Sequence, residues 1–466
     1  MIFKKNIGLY TDHYELTMAQ GYFLSGLQNK IASFDYFFRK NPFKGGYVVF
    51  AGLSDLIDLI DDFKFDDEDC NYLENIGFDK NFIYYLKDFK FSGDLFSVRE
   101  GEIVFPNESI IRVEGNIIET QLIESLLLNI INFQSLIATK AARMRLVAGE
   151  RQLVDFGLRR AQGFGSIHAS RAAMIGGFNS TSNVYSACRY GFESTGTMAH
   201  SWIQTYNDEI DAFREFVRFY PTSSILLVDT FDTIKKGIPN AIKIAKELEE
   251  LGGKLQGIRL DSGDLAFLSK TARKMLDEEG LEYVKIVVSN QLDEHLIRSL
   301  LQQNAPIDAF GVGTSLVIGK DEGALDGVYK LAQIGDRPTM KISENISKMT
   351  LPGKKKIYRY VDSTTNTFLL DGIELTGFKP DKIYKIQGVN KEYITRNLKS
   401  EEIVTKVMER GKRLIPNLSV HDIASFSQLR LKQVTEETKR FENPHTYVVG
   451  IGNELKKLQD KLKEEI

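Results

Sequence analysis

Along the first 130 residues, short strand-like and helical patterns alternate. Ile31–Phe38 is apolar and aromatic enough for a strand that ends near Arg39. Residues 53–63 repeat their apolar side chains at three- and four-residue intervals, which is the spacing of a helix with one polar face. Residues 121–148 are rich in Leu, Ile and Ala and read as one or two long helices. From residue 153 the texture changes. Apolar runs at 153–156, 225–228, 255–260, 284–288, 309–312 and 328–334 alternate with amphipathic stretches such as 238–251 and 265–279. A parallel strand buried on both faces reads as a continuous apolar run, and regular strand–helix alternation predicts a parallel sheet. After Gly335 the periodicity fades. Residues 349–356, with Pro352-Gly353 and three lysines, predict a hairpin or exposed loop. Residues 357–400 look strand-rich and 421–466 helical. In the last helix Leu455, Leu458, Leu462 and Ile466 line one face, as in a surface helix docked by its leucines.

The polar residues change this picture most where the parallel strands end. The run at 153–156 leads into DFGLRRAQGFG (155–165), and that at 225–228 ends at Asp229-Thr230. The run at 255–260 ends in RLDSGDL, with Arg259, Asp261 and Asp264; that at 284–288 ends at Ser289-Asn290; and Ala309–Val312 ends in FGVGTSL (310–316). Active sites of (β/α) barrels are assembled from the C-terminal ends of several strands. Five successive strands ending this way therefore favour a closed barrel over an open sheet. Each motif also has a plainer explanation. The glycines of FGVGTSL suit a phosphate nest at a helix N-terminus, and they suit a tight turn equally. Asp261 and Asp264 could cap the following helix, with Asp264 the expected cap, and Asp229 could be a turn residue. Arg159 and Arg160 read locally as surface charges. Arg259 interrupts an apolar run, so it needs an anionic partner, either a protein carboxylate or a ligand. His200, in TGTMAHSW, is structural or catalytic; its local sequence favours the former.

Composition narrows the function classes. Lys plus Arg total 60 against 63 for Asp plus Glu, so no basic field for nucleic acid or an anionic membrane exists, and anionic ligands must be held by local clusters. Cys70 and Cys188 are far apart and read as reduced thiols. His13, His168, His295, His421 and His445 form no metal-ligand spacing, so no protein metal site is expected. No nucleophile elbow, P-loop or dinucleotide fingerprint occurs, and no lysine at these strand ends suggests a Schiff base. The N-terminus lacks a signal-peptide core, and the apolar run 122–131 carries Glu124 and is too short to span a bilayer, so a cytoplasmic location is expected.

Together, TDHYELTMAQGYF at 11–23, DFGLRRAQG at 155–163, GGFNSTSN at 176–183, GTMAHSW at 196–202, LLVDT at 226–230, GIRLDSGDL at 257–265 and FGVGTSLV at 310–317 resemble the nicotinate phosphoribosyltransferase family. The resemblance implies an irregular (β/α) barrel of the type II phosphoribosyltransferase kind, assigned to 136–340. It also implies a smaller α/β domain at 1–135, joined by strands from about 345–410, and a helical C-terminus at 411–466. The implied reaction joins nicotinate to phosphoribosyl pyrophosphate, giving nicotinate mononucleotide and pyrophosphate, with Mg²⁺ and ATP. Phe156 would stack on the pyridine ring, and Tyr14 on its opposite face from the other subunit of a homodimer. Arg159 and Arg259 would hold the nicotinate carboxylate and nearby phosphate oxygens. Asp261 would bind ribose hydroxyls or metal-bound pyrophosphate, with Asp229 also in the substrate site, and Ser289, Asn290, Gly313 and Thr314 would cradle the 5′-phosphate. His200 would be phosphorylated by ATP, supported by Ser201. Ser182 stands where related nicotinamide enzymes carry an acid, which favours nicotinate. Nicotinamide phosphoribosyltransferase and a non-catalytic regulatory or structural dimer are the alternatives.

Overall fold

The computed structural model describes residues 6–341, 349–386 and 391–465, which fall into two compact units. The first comprises residues 1–136, 324–418 and 425–466; the second, 137–323 and 419–424.

The second unit carries a six-stranded parallel sheet in the order Ser180–Thr181, Gln152–Asp155, Ala309–Val312, Lys285–Ser289, Gly257–Leu260, Ile225–Leu227. Five of these are the apolar runs expected from the sequence. Their registers place Asp155 beside Thr181 and Val312, Ser289 beside Gly311, and Arg259 beside Val287 and Leu227, so the strands end at a common level. Among the described residues no pairing joins the two outermost strands. The helices Ile238–Glu250, Leu265–Glu278 and Glu294–Gln302 connect consecutive strands, as parallel pairing requires. Asp264 caps the second of these by accepting from the amides of Ala266 (3.1 Å) and Phe267 (3.0 Å), so the cap falls on Asp264 as the sequence suggests.

The sixth expected run differs. Gly327–Ile334 pairs antiparallel with Ile31–Phe38 in the first unit, with Phe34 opposite Leu331. Lys330 and Gln333 interrupt its apolar character, only Tyr329 and Ala332 are fully buried, and the pairing register shifts between Leu331 and Gln333, so the strand lacks the uniform burial of a central parallel strand. The sixth place in the parallel sheet goes instead to Ser180–Thr181, too short and too polar for an apolar-run search.

The first unit is built from a seven-stranded sheet containing Ile31–Phe38, Ile111–Asn116 and Asp94–Val98, and a six-stranded sheet around Lys355–Val361 and Phe368–Leu375. The expected exposed loop at 349–356 is only partly so: Lys355 opens a strand and is buried, its Nζ 2.6 Å from Asp35 Oδ2. Asp35 is itself buried in a strand, so a charge at this depth requires a partner. The region read as helical from 421 holds the helices Val420–Gln433, Glu436–Lys439 and Asn453–Glu464, and also a strand, Val448–Ile451. That apolar VVGI segment sits between Phe368–Leu375 and Lys382–Lys385 in the sheet. In the last helix Leu455 is buried and Leu458 and Leu462 are half-buried; Ile466 lies outside the described residues.

The helices Ile117–Leu122 and Glu124–Ala148 bear out the long apolar helix. Together the 32 residues 117–148 are long and apolar enough to cross a membrane, a longer stretch than the 122–131 run suggests, and 72% of their most apolar window is buried inside the protein. That burial is the behaviour of a core helix.

Candidate active site

Arg259 organises the polar cluster at the ends of the parallel strands. Its Nε donates to Ser289 Oγ (2.9 Å), one terminal nitrogen donates to Thr197 Oγ1 (2.9 Å), and the other lies 3.0 Å from Asp261 Oδ1. Its guanidinium carbon is 5.4 Å from the centroid of the Phe156 ring. The anionic partner that its apolar surroundings demand is thus a protein carboxylate, Asp261. Ser289 Oγ donates to the same oxygen, Asp261 Oδ1. Burial opposes ionisation of Asp261, yet the Ser289 hydroxyl and the Arg259 charge outweigh it and hold the carboxyl below its ordinary range.

His200 begins the short helix His200–Gln204 and stands beside this cluster. Its Nδ1 is 3.1 Å from Thr230 Oγ1 and its Nε2 is 3.8 Å from Asp261 Oδ2. Asp229, at the end of the neighbouring strand, accepts on Oδ2 from the Asp261 amide (2.8 Å) and the Ser262 hydroxyl (2.6 Å). Its Oδ1 is buried and has no hydrogen-bond partner. The Asp229 and Asp261 loops are therefore fastened together, and one hard oxygen is left over.

The opposite end of the sheet supplies an aromatic ring. Phe156 follows Asp155, and its amide donates to Val312 O (2.8 Å). A Cβ on Gly311 would stand 2.4 Å from the Phe156 ring, so only glycine lets the ring lie across this strand. Asp155 is completely buried and has no ion pair among the described residues. It accepts from the Gly157 amide (2.8 Å) and from the Ser170 and Thr181 hydroxyls (2.7 Å each). Burial pushes its carboxyl up, partly offset by those donors. Its carbonyl also takes the Ser182 amide (2.8 Å), which ties Ser182 to the Phe156 loop.

The remaining sequence candidates are placed less tightly. Arg159 and Arg160 lie in the exposed turn Leu158–Arg160, and Arg159 has no ion pair among the described residues. Gly313 and Thr314 open the four-residue helix Thr314–Val317, with Thr314 exposed. Asn290 is exposed with φ of 90°, a left-handed conformation that re-aims the chain just past Ser289. Ser201 is exposed beside His200. Tyr14 belongs to the first unit, on the helix His13–Leu24, and is half exposed. Burial, then the charges of Glu124 and Glu15, push its phenol up. Sequence reasoning marks Thr230 only as a strand-end residue and passes over Thr197, Ser262 and Asp155. Ser262 directly follows the strand-end Asp261, a signal that could have found it. Asp155 is hidden because a buried carboxylate leaves no mark in a single sequence.

Three family patterns match this chain: the nicotinate phosphoribosyltransferase N-terminal domain over residues 9–132, the nicotinate phosphoribosyltransferase family over 151–369, and its C-terminal domain over 354–459. The chain is 40% identical over 483 aligned residues to a nicotinate phosphoribosyltransferase of Bacillus subtilis, covering 99% of this chain and 98% of that one. It is 42% identical over 460 residues to one of Mycobacterium tuberculosis, covering 98% and 94%. The crystal structure of human nicotinic acid phosphoribosyltransferase superposes with a TM-score of 0.87 at 29% identity, covering 97% of this chain and 99% of the human one. The chain belongs to the nicotinate phosphoribosyltransferase family.

Proposed function

We propose that this protein forms nicotinate mononucleotide and pyrophosphate from nicotinate and phosphoribosyl pyrophosphate. Family membership supports the reaction, and one observation carries the site: Arg259, Asp261, Ser289 and His200 meet within 4 Å contacts at adjacent strand ends. The ring nitrogen of nicotinate has a free lone pair. It attacks the anomeric carbon of the ribose, a C–N bond forms, and the C–O bond to pyrophosphate breaks with its electrons leaving on pyrophosphate. No protein nucleophile is needed, so the work is positioning two anions and stabilising a cationic ribose.

In this reading Phe156 carries the pyridine ring. The exposed Arg159 fork and Arg259 hold carboxylate and phosphate oxygens; a planar guanidinium suits both. Asp261 faces the ribose hydroxyls or pyrophosphate, with Asp229 beside it. Ser289, Asn290, Gly313 and Thr314 surround the 5′-phosphate. Tyr14 comes from the other subunit of a homodimer and closes the opposite face of the ring. The strand-end convergence supports closure of the parallel sheet into an irregular barrel within residues 137–323, not to 340, because Gly327–Ile334 joins the first unit's sheet, where strands from 345–410 complete the N-terminal domain.

His200 takes the γ-phosphoryl group of ATP on a ring nitrogen as ADP leaves, and hydrolysis of that phosphohistidine to phosphate is coupled to product formation, with Ser201 beside it. Mg²⁺ fits the donors present. Asp229 and Asp261 offer hard carboxylate oxygens, one of them unpartnered, while no group of three or more metal-binding side chains occurs among the described residues. An ion carried chiefly by pyrophosphate and held by one or two carboxylates matches that set. When bound, Mg²⁺ neutralises charge on the leaving group. The balanced charge and the burial of residues 117–148 support a reading without nucleic-acid or membrane partners, to which a cytoplasmic location is added as part of the proposal.

The test is pyrophosphate release by the purified chain with phosphoribosyl pyrophosphate, Mg²⁺ and either base, with and without ATP. Faster release with nicotinate, stimulated by ATP, is expected. Faster release with nicotinamide would transfer the chain to that activity, and no release with either base would leave a non-catalytic dimer.

A further inference from the structure

A second polar cavity lies wholly within the first unit, built from strands that contribute nothing to the parallel sheet. Its volume is about 140 Å³, and Lys330, Lys385, Lys456 and Lys463 line it. Room for several water molecules is also room for a phosphate group with a short organic substituent. Lys330, Lys385 and Lys456 are half-buried, so their charges are only partly screened from one another.

The carboxylates nearby do not match these cations one for one. Asp35, the one acid among the described lining residues, is paired through Oδ2 with Lys355 at 2.6 Å, while its Oδ1 is buried without a hydrogen-bond partner. Asp460 serves two lysines, with Lys456 Nζ at 2.9 Å and Lys463 Nζ at 3.9 Å. Lys330 Nζ makes a comparably long ion pair, 3.8 Å from Glu124 Oε1. Lys385 has no carboxylate partner among the described residues. Asn107 and Ser109 add neutral polar groups to the same wall. Converging ammonium groups with too few acids gain most from a ligand carrying more than one negative charge, and a phosphate group offers several acceptor oxygens to separate lysines.

We propose that this cavity is a second anion site, taking inorganic phosphate or a small phosphate monoester, distinct from the phosphate-handling site at the parallel strand ends. The test is calorimetric titration of the full chain with inorganic phosphate and, separately, with glycerol phosphate, in nicotinate mononucleotide at saturation. The unaltered chain should take up about one equivalent. Lys385→Gln should weaken binding roughly tenfold and Lys385→Gln with Lys456→Gln more, since each tenfold corresponds to about 1.4 kcal/mol. Lys461→Gln, outside the lining, should change nothing. Preference for the monoester would identify an organic phosphate as the ligand; preference for phosphate, the free ion; either supports the site. Identical isotherms for all variants, no uptake by the unaltered chain, or an equal loss in Lys461→Gln would overturn it. Unchanged turnover of the Lys385 variants verifies their folding. The difference between variants can be read without the mononucleotide too, so it is independent of the reaction proposed above.

Discussion

The Thr230 hydroxyl stands 3.1 Å from His200 Nδ1, while Nε2 of the same ring faces Asp261 at 3.8 Å. One ring nitrogen is therefore occupied by a neutral partner, and the other is turned toward the carboxylate cluster. That division fixes the ring's orientation, which a phosphoryl acceptor needs. Thr230→Val keeps the shape and removes the hydroxyl; it should lower ATP-dependent phosphoprotein formation about tenfold, the scale of one lost hydrogen bond at a partly buried polar site. His200→Ala should abolish phosphoprotein and ATP stimulation, leaving slow ATP-independent transfer. Labelling with γ-phosphate-labelled ATP reads both, and acid-labile phosphate persisting on the alanine variant would refute the role of His200.

How much of this was visible beforehand differs from element to element. The five apolar runs and their polar ends were legible because a strand buried on both faces must be apolar and because Arg259 could not sit there alone. Ser180–Thr181 was not, since a two-residue polar edge strand has no periodicity to detect. The run 328–334 reads like the parallel strands but belongs to the antiparallel strand Gly327–Ile334, because a short apolar run does not reveal its partner. Lys355 looked exposed for the same reason, as its partner Asp35 lies 320 positions earlier. Arg259, Asp261, Ser289 and His200 stand out in their motifs and meet in space, but the contacts of Thr197 and Thr230 depend on loops converging there.

Glu15 gives a prediction in pH. It is buried on the first turn of the helix His13–Leu24, and its Oε1 accepts the Ser125 amide at 3.1 Å. Burial, followed by the charges of Glu124 and Asp12, pushes its carboxyl up to about 7 against the pull of the Ser125 and Thr11 hydroxyls. In the unfolded chain the group titrates near 4.3. The folded value is the higher one, so this group's contribution is complete below about pH 4.3 and is lost as pH rises through about 7. Glu15→Gln should flatten the fall in urea-unfolding free energy across that window by about 3 kcal/mol. Parallel curves for the two proteins would show that Glu15 titrates normally.

The first unit depends on a buried ion cluster. Arg359 is fully buried; its Nε lies 3.0 Å and a terminal nitrogen 2.6 Å from Asp371, and its other terminal nitrogen is 2.7 Å from Glu102. Tyr447 donates to Asp371 at 3.0 Å. Arg359→Met strands a buried carboxylate and should cost about 3–5 kcal/mol in urea unfolding at neutral pH. Arg359→Met with Asp371→Leu should recover part of that loss, because it removes the orphaned charge as well. A single-variant loss below about 1 kcal/mol would mean that the cluster is hydrated and contributes as little as a surface pair.

Ser182 is where the choice of base should be adjustable. Its amide is held by the Asp155 carbonyl at 2.8 Å, and the preceding Thr181 is paired with Asp155, whose next residue carries the Phe156 ring. An acid introduced at 182 would be anchored by this backbone close to the ring that is proposed to carry the pyridine. There it would repel the carboxylate of nicotinate and accept the amide hydrogens of nicotinamide. Like charges brought together in a binding site cost several kcal/mol, so Ser182→Asp should lower the nicotinate-to-nicotinamide ratio of kcat/KM by roughly a hundredfold. Ser182→Asn, of similar size and neutral, should move the ratio far less, which separates charge from bulk. The two ratios are read from steady-state pyrophosphate release with each base. An aspartate variant whose ratio matches that of the asparagine variant would place Ser182 away from the substrate's carboxyl group.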